Sequence, residues 1–235
     1  MTSSFSLSRF PLAILGAVLL PLLASCGGGG GSGPKTPPVD SATPVPTSNS
    51  QGCGQNFSPN YASSVSLLHW NVFPLSVYFK PDAELSAARR DTAIAGFNEW
   101  VKATGGQANY SVVNQESQAK IIVRFYRFTG GAGDTLGTTK VSYRGTVIER
   151  ATIDLGITGD QNDDILTAAH EYGHALGISG HSPNALDLMY FTGNLSGEVT
   201  TPDLNTVRTA YCDNFNHNTN RTSAVAGPLK TVVLH

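Results

Sequence analysis

The chain has 235 residues, with 15 Lys or Arg against 17 Asp or Glu, a formal net charge of −2 and only 14% charged residues. It holds no basic run and no aromatics interleaved with Lys and Arg, which excludes the electrostatic footprint of a nucleic-acid-binding protein. No internal repeat is present, and a monomer is expected.

Residues 1–25 read as a secretory signal, with Arg9 as the only charge and an apolar stretch from Phe10 to Leu23. That stretch is too short, and too broken by Pro11 and Pro21, to span a membrane. The cleavage region Leu23-Ala24-Ser25-Cys26 has the form of a bacterial lipobox, in which small residues precede a cysteine that is lipidated and becomes the new N-terminus. Cys26 is therefore the expected lipidation site, and the bacterial cell envelope the expected destination, with a membrane as partner through the lipid. Gly27 stands where an aspartate retains some lipoproteins at the inner membrane, so the outer membrane is favoured. Residues 26–56, rich in Gly, Pro, Ser and Thr, cannot bury a core and form a disordered tether.

Residues 57–217 are enough for one domain with a real core. Leu67 to Phe79 alternates as a strand, with Pro74 at an edge or bulge position. Asp82 is an N-cap for a helix over Ala83 to Ala103, in which Ile94, Phe97 and Val101 share a face and which Gly105-Gly106 ends. Ala119 to Phe128 is a strand rich in β-branched and aromatic residues. A loop at Gly130 to Gly133 leads to strands at Thr138 to Tyr143 and Thr146 to Leu155, turning at Arg144-Gly145. Asn162, Asp163 and Asp164 suit the N-terminus of a further helix, through its dipole. This order predicts an α+β domain with a twisted mixed sheet. The tail, residues 218–235, is open to reading as an added strand or as a loose end.

That further helix carries His170-Glu171-Tyr172-Gly173-His174-Ala175-Leu176-Gly177-Ile178-Ser179-Gly180-His181. At i and i+4, His170 and His174 leave the same helix face, with Cβ atoms roughly 5–6 Å apart. Two ring nitrogens can then meet one metal ion at about 2.0–2.1 Å. Glu171 is rotated away from that pair, where a general base for a metal-bound water would stand. Gly177 accepts the positive φ that ends a helix, and the turn after it can return His181 as a third ligand. Three protein ligands with a fourth position open mark a catalytic zinc site, not a structural one.

With its glycine, its following histidine and Met189 downstream, this stretch resembles the motif of the metzincin zinc endopeptidases, in their matrixin-like branch: HExxHxxGxxH followed by a Met-turn. His170, Glu171, His174 and Gly177 match position by position. Gly180 stands where the family has its third histidine, and His181 follows one residue later, so Gly180 reads as an inserted residue that bulges the turn. The resemblance covers about Trp70 to Cys212. It implies a metzincin-like catalytic domain with a twisted mixed sheet, a long N-terminal helix, an active-site helix and a C-terminal helix beginning near Thr201–Val207. It also implies strands at Leu75–Phe79, Ile121–Phe125 and Ala151–Leu155.

The activity it implies is zinc-dependent cleavage of extracytoplasmic proteins and peptides, with Glu171 as base and Met189 as the apolar floor beneath the zinc. Substrate would lie extended along an edge strand from Thr138 to Tyr143, and the loop Phe191 to Glu198 would set selectivity. Phe191, two residues after the methionine, stands where some metzincins carry a tyrosine ligand, so Tyr190 reads as a pocket or core residue. Only His69 precedes the motif, which leaves no histidine set for a second zinc. Structural calcium is a further candidate cofactor, in the loops Gly130 to Asp134 and Asp154 to Asp164, which read equally as ordinary turns.

If Cys26 carries lipid, Cys53 and Cys212 remain as a disulfide pair flanking the domain, as export permits. The alternative, Cys53 as a latency thiol on the zinc, lacks the arginine-rich frame of the family's switch. Glu198 or Asp187 could replace His181 as third ligand, as in thermolysin-like enzymes. A rival of another class is a surface-anchored zinc-containing binding or adhesion lipoprotein without catalysis, against which the intact Glu171 argues.

Overall fold

A computed structural model of the chain describes residues 56–131, 134–192, 198–215 and 227–235. The expected signal peptide, most of the tether, Cys26 and Cys53 lie outside the described residues. So does His217. Among the described residues no helix is long and apolar enough to cross a membrane.

The elements in chain order are β1 (Ser66–Leu67), β2 (Leu75–Phe79), α1 (Ala87–Ala103), β3 (Tyr110–Val112), β4 (Ile121–Arg127), β5 (Gly137–Arg144), β6 (Val147–Ile157), α2 (Gln161–Leu176), β7 (Ile178–Ser179), α3 (Thr201–Tyr211) and β8 (Lys230–Leu234). They form an α+β fold with a mixed six-stranded sheet ordered β3-β2-β4-β6-β5-β8. The first four strands in that order run parallel, and α1 supplies the crossover that a parallel β2–β3 pair requires. β5 runs antiparallel to β6 and β8 antiparallel to β5. β1 and β7 make a separate two-stranded ladder.

Alternation decides which face of the sheet is covered. Leu75, Val77 and Phe79 of β2, Ile121, Val123 and Phe125 of β4, and Ala151, Ile153 and Leu155 of β6 turn inward together. α1 and α2 cross closely at Gly96, where a Cβ would run into the Ile165 carbonyl and the backbone nitrogen of Ala169. The close approach brings Phe97 onto the ring of Tyr172, with centroids 4.5 Å apart, and lets the Trp100 indole donate to the Ala169 carbonyl at 2.8 Å. The far end of α2 is held in the same way, because Trp70 Nε1 donates to Ala175 O and the Tyr211 hydroxyl to Leu176 O, each at 2.7 Å.

Four local expectations need correction. The first helix begins at Ala87 with Ser86 as its cap, since the Ser86 side chain accepts from Arg89 N. Asp82 instead closes a preceding turn by accepting from Glu84 N and Leu85 N. The run Leu67 to Phe79 is two strands, β1 and β2, which join different sheets. Tyr110–Val112 forms β3, a strand with no strong signal in the sequence. Finally, Thr138–Tyr143 is not an edge: β5 has β6 on one side and β8, from the tail, on the other.

Candidate metal centre

α2 is built to present its histidines. Asp160 caps its start, accepting from Asn162 N and Asp163 N, and Asp163 and Asp164 complement the dipole in the first turn. Gly177 ends the helix at φ 118°, and its N–H donates back to Gly173 O and His174 O. A side chain there would collide with the Leu68 carbonyl, because the Leu68 N–H donates to Gly177 O at 2.8 Å. The chain then enters β7, which pairs with β1, and turns at Gly180 with φ 131° before reaching His181. Left-handed backbone at both glycines reverses the chain in a few residues.

The reversal brings the third imidazole to the other two. Ring centroids are 4.8 Å apart for His170–His174, 5.3 Å for His170–His181 and 5.0 Å for His174–His181. One nitrogen from each ring lies within 4.8 Å of the others, close enough to hold a metal ion. Glu198 is exposed and stands outside this group, and Asp187 is buried among other partners, so His181 fills the third place.

The tautomers fit the task. His170 Nδ1 faces the Leu188 carbonyl at 2.8 Å and His174 Nδ1 faces the Ile178 carbonyl at 2.7 Å. A carbonyl oxygen only accepts, so both Nδ1 atoms carry the proton and both Nε2 atoms keep a lone pair. His174 Nε2 is buried with no hydrogen-bond partner. An orphaned acceptor in a wholly buried ring is costly unless an ion meets it. Burial, then the charge of the neighbouring histidines, holds His174 well below the ordinary imidazole pKa, and burial also lowers His170. His181 is lowered to about 4, first by burial, then by His170 and His235. The rings are thus neutral at pH 7, the ligating state.

Glu171, only 2% exposed, lies against β5. The Thr139 hydroxyl lies 2.6 Å from Glu171 Oε2 and 3.0 Å from its backbone oxygen. Gly137, two residues along the same face, leaves room for the carboxylate, since a Cβ there would meet Glu171 Cγ and Oε1. Burial pushes the Glu171 carboxyl up to about 8, and the Thr139 bond acts against the rise. A positive charge nearby would favour its anion.

Met189 is fully buried and sets its thioether onto α2 at Gly173, where a methyl group would overlap both Met189 and Trp100. The turn that carries it is clamped from α3. Thr200 and Asp203 form a capping box, and Asp203 Oδ2 also accepts from Leu188 N at 2.8 Å. The Leu188 carbonyl in turn accepts from His170, so the backbone of one residue links a buried carboxylate to the His170 ring. Tyr61 OH donates to Asp203 Oδ1 at 2.7 Å. Asp187 accepts from Ser182 Oγ at 2.5 Å, and its Oδ1 lies 2.8 Å from the Thr200 hydroxyl, which is as close to Asp203 Oδ2.

Sequence reasoning missed Thr139, Gly137, Asp203 and Tyr61, and weighed Asp187 only as an alternative ligand. Only Asp203 had a legible signal, as the acidic residue three places after Thr200. Tyr190 bridges to Ser182 and rests its ring on Phe191 at 4.6 Å, apart from the histidine group. Cys212 is disulfide-bonded at the end of α3. In the loops read as calcium candidates, Asp134 bonds Thr129 and Gly131, Asp154 pairs with Arg124, and Asp164 bonds Thr158. Among the described residues, the histidine trio is the one group of three or more metal-ligating side chains. No protein-family model matches the chain, and no curated protein matches it.

Proposed function

We propose that the chain is a zinc endopeptidase, anchored to the bacterial envelope through lipid on Cys26 and acting on extracytoplasmic proteins and peptides. The observation that carries this reading is the convergence of His170, His174 and His181 beside the buried, acceptor-bearing Glu171. Three neutral imidazoles and no sulfur suit zinc at a site that keeps a position for water. Zinc held there would lower the pKa of a water molecule towards ~7 and polarise a scissile carbonyl.

The chain's own groups do the rest. Glu171 takes the water's proton and delivers it to the departing amine. Thr139 fixes one oxygen of that carboxylate, leaving Oε1 for the proton. Leu188 and Ile178 carbonyls orient the imidazoles, and Met189 shuts the floor of the site against water. The resemblance to metzincins supports the same assignment of roles.

The test is metal content together with cleavage of unfolded casein. Zinc-loaded protein should cut it, lose the activity to a chelator and regain it with added zinc. His181→Ala should lose most of the bound zinc, and full retention there would refute the ligand set. No cleavage by the zinc-loaded protein, whether whole or shortened to residue 226, would remove the peptidase reading.

A further inference from the structure

Glu171 is held by one strand. Gly137 makes room for its carboxylate and Thr139 bonds it, and both belong to β5. An extended peptide on the side of β5 away from β6 would therefore run along the strand that holds the proposed base. Strand addition of this kind takes its affinity from main-chain hydrogen bonds and its selectivity from alternate side chains. That side of β5 is already taken. β8 pairs with it from Thr139↔Leu234 to Tyr143↔Lys230, antiparallel and without a register shift.

The resemblance already lays substrate along β5; we infer that Lys230–Leu234 occupies that outer side of the strand as the chain's own peptide, in competition with substrate. The inference rests on the peptidase reading and specifies its substrate class. β8 runs from the Arg144 end of β5 towards Gly137 and Glu171. A substrate in the same register would present to β5 the residues that precede the scissile bond. Directly opposed residues of an antiparallel pair share a face. Leu234 thus lies on the face of Thr139, and Val232 on that of Val141; all four are buried. The groove accordingly takes an extended peptide with aliphatic side chains at alternate positions before the cut.

Apart from its ladder to β5, β8 is held by Val232 and Leu234, which lie in the hydrophobic core, while its other side chains hold it little. Lys230, Thr231 and Val233 face outward, and Val233 is 45% exposed. Beyond the ladder there are the contact between Ser142 Oγ and Thr231 Oγ1 and the bond from Arg144 Nη1 to the Gly227 carbonyl. As the last strand in the order, β8 can leave without breaking the pairing of the other five, at the cost of uncovering the core beneath Val232 and Leu234.

The probe is a fluorescent heptapeptide with the sequence of residues 229–235, read by anisotropy so that binding is scored without turnover. A chain shortened to residue 226 should bind it at least tenfold more tightly than the whole chain, and whole-chain Leu234→Asp should bind it at an intermediate level. The same peptide with Asp at the place of Leu234 should not bind. Amide exchange along Thr139–Tyr143 should quicken in both variants. Equal binding by the whole and the shortened chain, with the latter folded by circular dichroism, would overturn the inference. If the shortened chain does not fold, Leu234→Asp decides, and binding no tighter than wild type overturns it. Peptide binding in a protein that cuts nothing would uphold the groove and remove the peptidase reading. Zinc-dependent cleavage with no difference between whole and shortened chains would do the reverse.

Discussion

Of the buried carboxylates around the histidine trio, Glu171 and Asp203 have sharply different surroundings. Asp203, at the start of α3, is fully buried and accepts from Tyr61 OH, Leu188 N, Thr200 N and the Thr200 hydroxyl. Glu171, on α2, has one hydroxyl donor, Thr139. Burial raises the pKa of both, and in Asp203 the Tyr61, Thr200 and Leu188 bonds act against the rise. A carboxylate saturated with donors has no valence left for chemistry and acts as a clamp. One left short of donors is free to move a proton. The difference separates scaffold from reagent better than burial does, because both groups are equally inaccessible.

The comparison breaks most visibly at its reactive end. Glu171→Gln keeps the shape and the Thr139 bond but removes the base, so kcat/KM for a quenched peptide should fall by roughly 10²–10⁴. Zinc content and thermal midpoint should stay near wild type. Turnover within a few-fold of wild type would take Glu171 out of the mechanism. At the scaffold end, Asp203→Asn turns an NH₂ group on donors that need an acceptor, which should cost roughly 1–3 kcal/mol in urea unfolding. The same change should weaken zinc by about 10- to 100-fold, because His170 loses the support of its Leu188 partner. A variant with unchanged stability and zinc affinity would show that Asp203 clamps nothing.

The weakest case is an exposed acid. Asp213 pairs with Arg208 at 2.6 Å, with its side chain 38% exposed. The Arg208 bond holds Asp213 below the usual carboxylate range. A lowered acid pKa contributes stability above the unfolded-state value and loses it as pH falls through the folded one. Asp213→Asn should therefore cost under ~1 kcal/mol at pH 7, as exposed pairs do. Melts of the two proteins should converge below about pH 3.9, the unperturbed aspartate value. A gap that persists in acid would assign the effect to packing.

Helical spacing alone put His170 and His174 on one face and Glu171 off it, because one turn of α-helix fixes the relative direction of i, i+1 and i+4 side chains whatever surrounds them. Gly177 was legible for a similar local reason. The start of α1 was not, since Asp82 and Ser86 are both competent caps and the backbone chose the second, at φ −130° and ψ 164°. Thr139 carries no mark in the sequence. It is one of two threonines on β5, and only the packing of α2 against that strand brings it to Glu171.

The position of His181 belongs to neither class alone. Glycines at 177 and 180 permit a reversal, but its extent is set by the pairing of β7 with β1, which lies more than a hundred residues earlier in the chain. The sequence by itself determined the chemistry on offer: three imidazoles, one carboxylate and a helix to carry them. The tertiary structure decided which groups meet and which stay apart. It turned His181 back to its partners, tied Asp203 to the Leu188 peptide, and laid β8 along the strand expected to be open. Contacts of that kind depend on the closure of long loops and the register of distant strands, which no local pattern of residues encodes.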